Sequence, residues 1–237
     1  MTTRQGIISV TAILWLLLLA GSADAQLIWD GDASKGTSVF GNLNCDSPGS
    51  VTAVNDSTQG RVWRYSKPSG SNRCENHGIS VNGNRYVFQN GNTYYLGWRS
   101  KLSSTVNNNA FFQWKSYGNH IQNFPVIIKM ISGKATLMYR APGEDCCRTL
   151  WSRSISANTW NHFVLGLHLS DSASSGWIEF WFNGSQQTLS NGSTRYFGRT
   201  LDDINEPKWG IYGATDTSVN SYADGLKVGR SFNDVRP

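Results

Sequence analysis

Three short segments of the chain set chemically capable side chains two residues apart, between other neighbours. Arg73, Glu75 and His77 alternate with Cys74 and Asn76; Gln113 and Lys115 alternate with Phe112 and Trp114; Lys208 and Tyr212 alternate with Trp209 and Ile211. Successive side chains of a β-strand point to opposite faces, so residues two apart share one. With the apolar set turned to a core, the other face gathers Arg, Glu, His, Gln, Lys and Tyr. Such a set suits removal of a weakly acidic proton beside an anionic group. A positioned acid–base side chain takes the proton, and amide donors and cations hold the charge that develops. A phenol ionises near ~10 in water, so a tyrosine base needs neighbouring cations, such as Lys208 or protonated His77. Each segment taken singly also reads as a solvated strand face, with Arg73–Glu75 as an ion pair and Tyr212 as a buried, hydrogen-bonded tyrosine.

The elements that must carry these groups are strands. Helical periodicity is almost absent, and short runs of Val, Ile, Phe, Tyr and Trp recur between Gly/Asn/Ser clusters. The clearest strands are 61–65, 94–102, 110–115, 126–130, 135–139, 161–169, 177–182, 208–212 and 221–228. Asn82-Gly83, Ser132-Gly133 and Asn183-Gly184 are hairpin turn signals. Roughly ten short strands at this spacing predict an all-β fold, an antiparallel two-sheet β-jelly roll. The ten tryptophans supply its core, Trp63 and Trp160 among them, and leave others for stacking on sugar rings.

Residues 1–25 stand apart from this pattern. Arg4 precedes the apolar run Ile7–Ala20, and Ala23-Asp24-Ala25 brackets a cleavage point, as in a secretory signal peptide. The expectation is a mature chain from Gln26 to Pro237 folded as one domain, secreted and outside the cell, with no membrane segment. Three sequons, at Asn55, Asn183 and Asn191, agree. So do four cysteines, an even number for an oxidising compartment. A Cys45–Cys74 disulfide would tie the N-terminal strands together. Cys146 and Cys147 are adjacent, and bonding them would need unusual backbone geometry, so their connectivity stays open. The formal charge is +5 without any Lys/Arg run, which gives no nucleic-acid footprint and is compatible with an anionic polymer partner.

The three segments resemble the motifs of jelly-roll polysaccharide lyases, best known from alginate lyases: Arg-x-Glu-x-Arg, Gln-x-His and Lys-x-Gly-x-Tyr. Here they read Arg73-x-Glu75-x-His77, Gln113-x-Lys115 and Lys208-x-Gly210-x-Tyr212. His77 and Lys115 depart from the alginate pattern. The stretches "FFQWKSYG", "QNFPVIIKM", "WNHFVLGLHLSD", "GWIEFWFNG" and "KWGIYGATD" resemble instead the fungal glucuronan lyases, polysaccharide lyase family twenty. That resemblance covers nearly all of the chain from Gln26 onward. It implies a secreted, monomeric lyase that cleaves an anionic polysaccharide by β-elimination. Tyr212 would serve as base and then acid, Gln113 would hold the substrate carboxylate, and His77 would either assist that neutralisation or itself be the base with Tyr212 as the acid; Arg73, Lys115 and Lys208 would bind substrate. It also implies a structural calcium ion, with Asp224 as a ligand and Asp171 and Asp32 as further candidates. A glycoside hydrolase would need two carboxylates about the scissile bond, and the acidic residues here are scattered, Glu179 standing alone. A carbohydrate-binding module explains fold and aromatics, but not Gln, His and Tyr on these strands.

Overall fold

The computed structural model describes residues 26–119 and 121–236; the proposed signal segment, residues 1–25, lies outside them. The strands run, in chain order, β1 (Leu27–Asp30), β2 (Phe40–Cys45), β3 (Ser50–Asp56), β4 (Gly60–Lys67), β5 (Arg73–Val81), β6 (Asn84–Arg85), β7 (Thr93–Leu102), β8 (Ala110–Tyr117) and β9 (Val126–Ile131). They continue as β10 (Lys134–Tyr139), β11 (Arg148–Ser154), β12 (Asn161–His168), β13 (Trp177–Phe182), β14 (Ser185–Gln186), β15 (Arg195–Phe197), β16 (Ile204–Tyr212) and β17 (Val219–Gly229). One sheet has the order β14-β13-β12-β7-β17-β4-β3, and the other β11-β10-β9-β8-β16-β5-β2. All pairings are antiparallel. This is the two-sheet β-sandwich of jelly-roll type expected from the strand spacing.

The inward parity of each strand builds the core. Trp63, Trp98, Trp114, Trp209, Phe112, Phe163 and Phe180 are all essentially buried between the sheets. Trp98 stacks on Phe112 with ring centroids 4.7 Å apart, an arrangement worth more than area burial alone. Phe112 and Trp114 take the core side of β8, which leaves Gln113 and Lys115 on the opposite face. Trp160 is a correction: it is only half-buried, lies under the Lys101 ammonium and donates its indole N–H to Asp56. The hairpin signals hold. Asn82-Gly83, Ser132-Gly133 and Asn183-Gly184 each have two successive positive φ values, the geometry that matches the strand twist.

Strands β2, β3 and β11 escape a search for apolar alternation because each sits at a sheet edge or faces solvent, where polar residues are tolerated and protective. Cys45 and Cys74 lie directly opposite in the β2–β5 register and form the expected disulfide. It clamps the edge strand onto the strand that carries Arg73 and Glu75. Cys146 and Cys147 remain thiols. The sequon residues Asn55, Asn183 and Asn191 are all exposed.

Candidate active site

The outward face of the second sheet holds a cleft of about 200 Å³ lined by Arg73, Gln113, Lys115, Asn123, Phe124, Lys208 and Tyr212. Three adjacent strands position it: β8 gives Gln113 and Lys115, β16 gives Lys208 and Tyr212, and β5 gives Arg73. Lys208 is opposite Gln113, and Tyr212 is opposite Arg73. Between Trp209 and Tyr212 the β16–β8 register slips by one residue, so that Tyr212 faces Ala110. Gly210 absorbs that bulge with φ 136°. A Cβ there would lie 2.3 Å from the Cys74 carbonyl oxygen, so the glycine of Lys-x-Gly-x-Tyr is a packing requirement for placing the tyrosine.

The floor of the cleft is a buried polar network. Glu75, 2 % exposed, accepts from Gln113 Nε2 at 2.5 Å and from Lys208 Nζ at 2.7 Å. Burial pushes the Glu75 carboxyl above its ordinary value, and Lys208, Gln113 and Arg73 oppose that push. Glu75 therefore orients the amide and the ammonium instead of meeting a ligand itself. Each donor keeps further N–H groups to aim into the cleft. At the rim, the Arg73 guanidinium lies 4.8 Å from the centre of the Tyr212 ring, a cation–π contact that puts positive charge beside the phenol.

Lys115 behaves differently from a free binding lysine. Its ammonium donates to the Ser116 carbonyl, the Asn123 carbonyl and Asn123 Oδ1 at 2.7–2.9 Å, using all three protons. It therefore acts on a ligand through its charge and by fixing Asn123 in the cleft wall. Burial first, and then the charges of Lys208 and Arg73, lower it to about 8.

His77 is set apart from this group. Two residues along a strand is about 7 Å, and that step carries it past Glu75 to a neighbouring hollow lined by Arg85, Tyr86, Val87, Tyr117, Ile204 and Glu206. There His77 Nε2 lies 2.6 Å from Glu206 Oε2 and 2.6 Å from Arg85 Nη2, and the ring stacks on Tyr117. Burial raises the Glu206 carboxyl, but hydrogen bonds from His77 and Arg85 outweigh it and hold the group below its ordinary 4.5. A depressed carboxyl contributes stability that is present above 4.5 and lost as pH falls through the folded value. Melting temperatures recorded from neutral pH downward should fall more steeply below about 4.5 in wild type than in Glu206→Gln. Parallel curves would disprove that linkage.

Sequence reading misses Glu206, Arg85, Tyr117, Asn123 and Phe124. The two-residue rule reaches Glu206 when extended back from Lys208, and Tyr117 when extended forward from Lys115. Asn123, Phe124 and Arg85 sit outside the three segments and arrive only through folding. The calcium ligands do not converge. The Asp224 carboxylate accepts from Arg99 Nη1 at 2.7 Å, a charge that disfavours a cation beside it. Asp171 is exposed and offers its carbonyl to Arg199, and Asp32 caps a 3-10 turn through Ser34. Among the described residues no three His, Cys, Asp or Glu side chains are placed to hold a metal. These three aspartates therefore do not form an all-carboxylate cluster.

A family model described as polysaccharide lyase matches residues 29–227, from β1 almost to the end of β17. The chain belongs to the polysaccharide lyase family. Solved structures share the fold of this lyase at low identity. The marine PL-14 alginate lyase from Aplysia kurodai aligns with TM-score 0.58 and 11 % identity, over 86 % of this chain and 99 % of that one. Alginate lyase AlgAT5 from polysaccharide lyase family 7 aligns with TM-score 0.55 and 13 % identity, over 79 % and 84 %. The carbohydrate esterase vb_24B_21 from Shiga toxin-encoding bacteriophage phi24B aligns with TM-score 0.59 and 13 % identity, over 86 % and 98 %. Lyases and an esterase on one fold show that fold alone does not set the chemistry. No curated protein sequence matches the chain. A polysaccharide is thus the substrate class of this family, and the cleft's cations suit one that is anionic.

Proposed function

We propose that this polysaccharide lyase acts outside the cell on β-1,4-linked polyglucuronate, cleaving it by β-elimination to unsaturated oligouronates. The observation that carries the reading is the convergence of Tyr212, Gln113, Arg73 and Lys208 in one cleft over a buried carboxylate. The uronate carboxyl group sits against the free N–H of Gln113, with the charges of Lys208 and Lys115 around it. This lowers the cost of negative charge as the neighbouring C5 proton leaves. The Tyr212 phenolate oxygen, with the Arg73 guanidinium against its ring, takes that proton. The electrons left on C5 form the C4–C5 double bond, and the C4–O4 bond breaks. The same phenol then returns the proton to the departing O4, because in glucuronate H5 and O4 lie on one side of the ring. One residue thereby serves as base and then acid. His77, tied to Glu206 and Arg85 outside the cleft lining, supports the wall of the site in this scheme.

The deciding experiment incubates the protein with polyglucuronate, and separately with alginate, and follows the ultraviolet absorbance of the conjugated C4–C5 double bond of the unsaturated uronate. Absorbance growth on polyglucuronate is expected. Tight binding of the polymer with no absorbance change would return the cleft to a carbohydrate-binding surface. Growth on alginate alone would move the substrate to that uronan. Lys115 gives a pH signature. Its charge is present below about 8 and lost above it, so KM should rise as pH passes through about 8. In Lys115→Arg, which stays charged, that rise should vanish; an unchanged pH profile of KM would exclude Lys115 from substrate attraction.

A further inference from the structure

The loop that joins β10 to β11 ends in two adjacent cysteines, Cys146 and Cys147, whose sulfur atoms lie 3.2 Å apart. Cys146 is exposed and Cys147 half-buried. The loop is braced against the cleft wall. Arg140 donates from Nε to the Glu144 carbonyl at 2.7 Å, and Glu144 accepts in turn from Arg148. The Arg140 guanidinium lies 5.6 Å from the centre of the Phe124 ring, and Phe124 lines the cleft. The Arg140 carbonyl accepts from Gln122 at 2.7 Å, one residue before the Asn123 that Lys115 holds. Cys147, Phe124 and Tyr212 all pack against the same three buried residues, Ala110, Ile127 and Met138.

We propose that Cys146 and Cys147 are a redox modification site, converted by a small-molecule disulfide of the glutathione class into a vicinal disulfide that fixes the Phe124 wall of the cleft. The exposed Cys146 sulfur, as thiolate, attacks one sulfur of the external disulfide, giving a mixed disulfide and releasing one small thiol. Cys147 then loses its proton and attacks Cys146 Sγ, releasing the second small thiol. The two protein thiols are oxidised and the external disulfide is reduced to two thiols. The order follows from surroundings: burial and the adjacent thiol push Cys147 up to about 12, so it is poorly suited to attack first. Cys45–Cys74 is separate, since Cys74 is wholly buried and protected from exchange.

The test equilibrates the full chain with oxidised and reduced glutathione at graded ratios, alkylates it, and maps the tryptic peptide Ala141–Arg148. Under oxidising ratios that peptide should carry an internal bond, with two hydrogens lost and no alkyl group, while Cys45–Cys74 stays intact at every ratio. Two free thiols at every ratio, or a lasting glutathione adduct on Cys146 without the internal bond, would overturn the site; this readout needs no substrate. The effect on the cleft is read on the uronan found to be cleaved. Reduction should raise KM roughly two- to fivefold with kcat retained, because a looser wall orders at a cost on binding. The Cys146→Ser/Cys147→Ser protein should show the reduced form's KM and ignore reductant. A KM equal to that of the oxidised wild type would remove the link to Phe124.

Discussion

Tyr212→Phe should lower kcat on the cleaved uronan by at least ~10²–10⁴, the loss typical of one acid–base catalyst, since one oxygen is assigned both transfers. The ring and its contacts remain: the half-buried tyrosine packs against Ala110, Ile127 and Met138, and the Arg73 contact involves the ring face. Polymer binding and the melting temperature should therefore stay close to wild type. Steady-state absorbance assays with a binding measurement on the same preparation separate the two quantities. A folded Tyr212→Phe enzyme with near wild-type turnover would end the mechanism. Gln113 offers no alternative proton acceptor of comparable basicity, and His77 does not line the same cleft.

The second large effect is on stability. Lys208 is 1 % exposed and Glu75 2 %, joined at 2.7 Å. Replacing Lys208 by Met leaves the carboxylate buried without its cation, which typically costs about 3–5 kcal/mol. For a domain of this size that is a fall in melting temperature of roughly 6–20 °C. The pH dependence carries a sign. Without Lys208 the Glu75 carboxyl rises further above its ordinary value, and a raised carboxyl is tolerated below its unfolded value and penalised as pH rises through the folded one. The gap to wild type should therefore be widest near neutrality and narrow towards pH 4.5, the ordinary value. Glu75→Gln combined with Lys208→Met removes both charges and should recover most of the loss. Calorimetry of the two variants across pH settles this; a Lys208→Met protein as stable as wild type would show that the pair is neutral to folding.

The pattern of the chain by itself determined the sandwich, the antiparallel hairpins and the three strands that meet at the cleft. These follow from rules that act within a few residues: side chains alternate along a strand, and two positive-φ residues close a tight turn. Gln113 with Lys115 on one face of their strand, and Lys208 with Tyr212 on one face of theirs, were legible because parity survives folding. The motif resemblance supplied the lyase reading, which composition could not. What alternation does not encode is which strands become neighbours, and there tertiary structure decided. It put Glu75 under Gln113 and Lys208 as an orienting carboxylate. It carried His77 one step beyond the cleft to Glu206 and Arg85, because β16 offers a buried carboxylate at that level. It gave Asp224 to Arg99 and brought Asn123, Phe124 and the Cys146–Cys147 loop to the wall beside Tyr212. Each of these depends on charges and rings from segments distant in the chain, and a buried charge must find its partner wherever the fold places one.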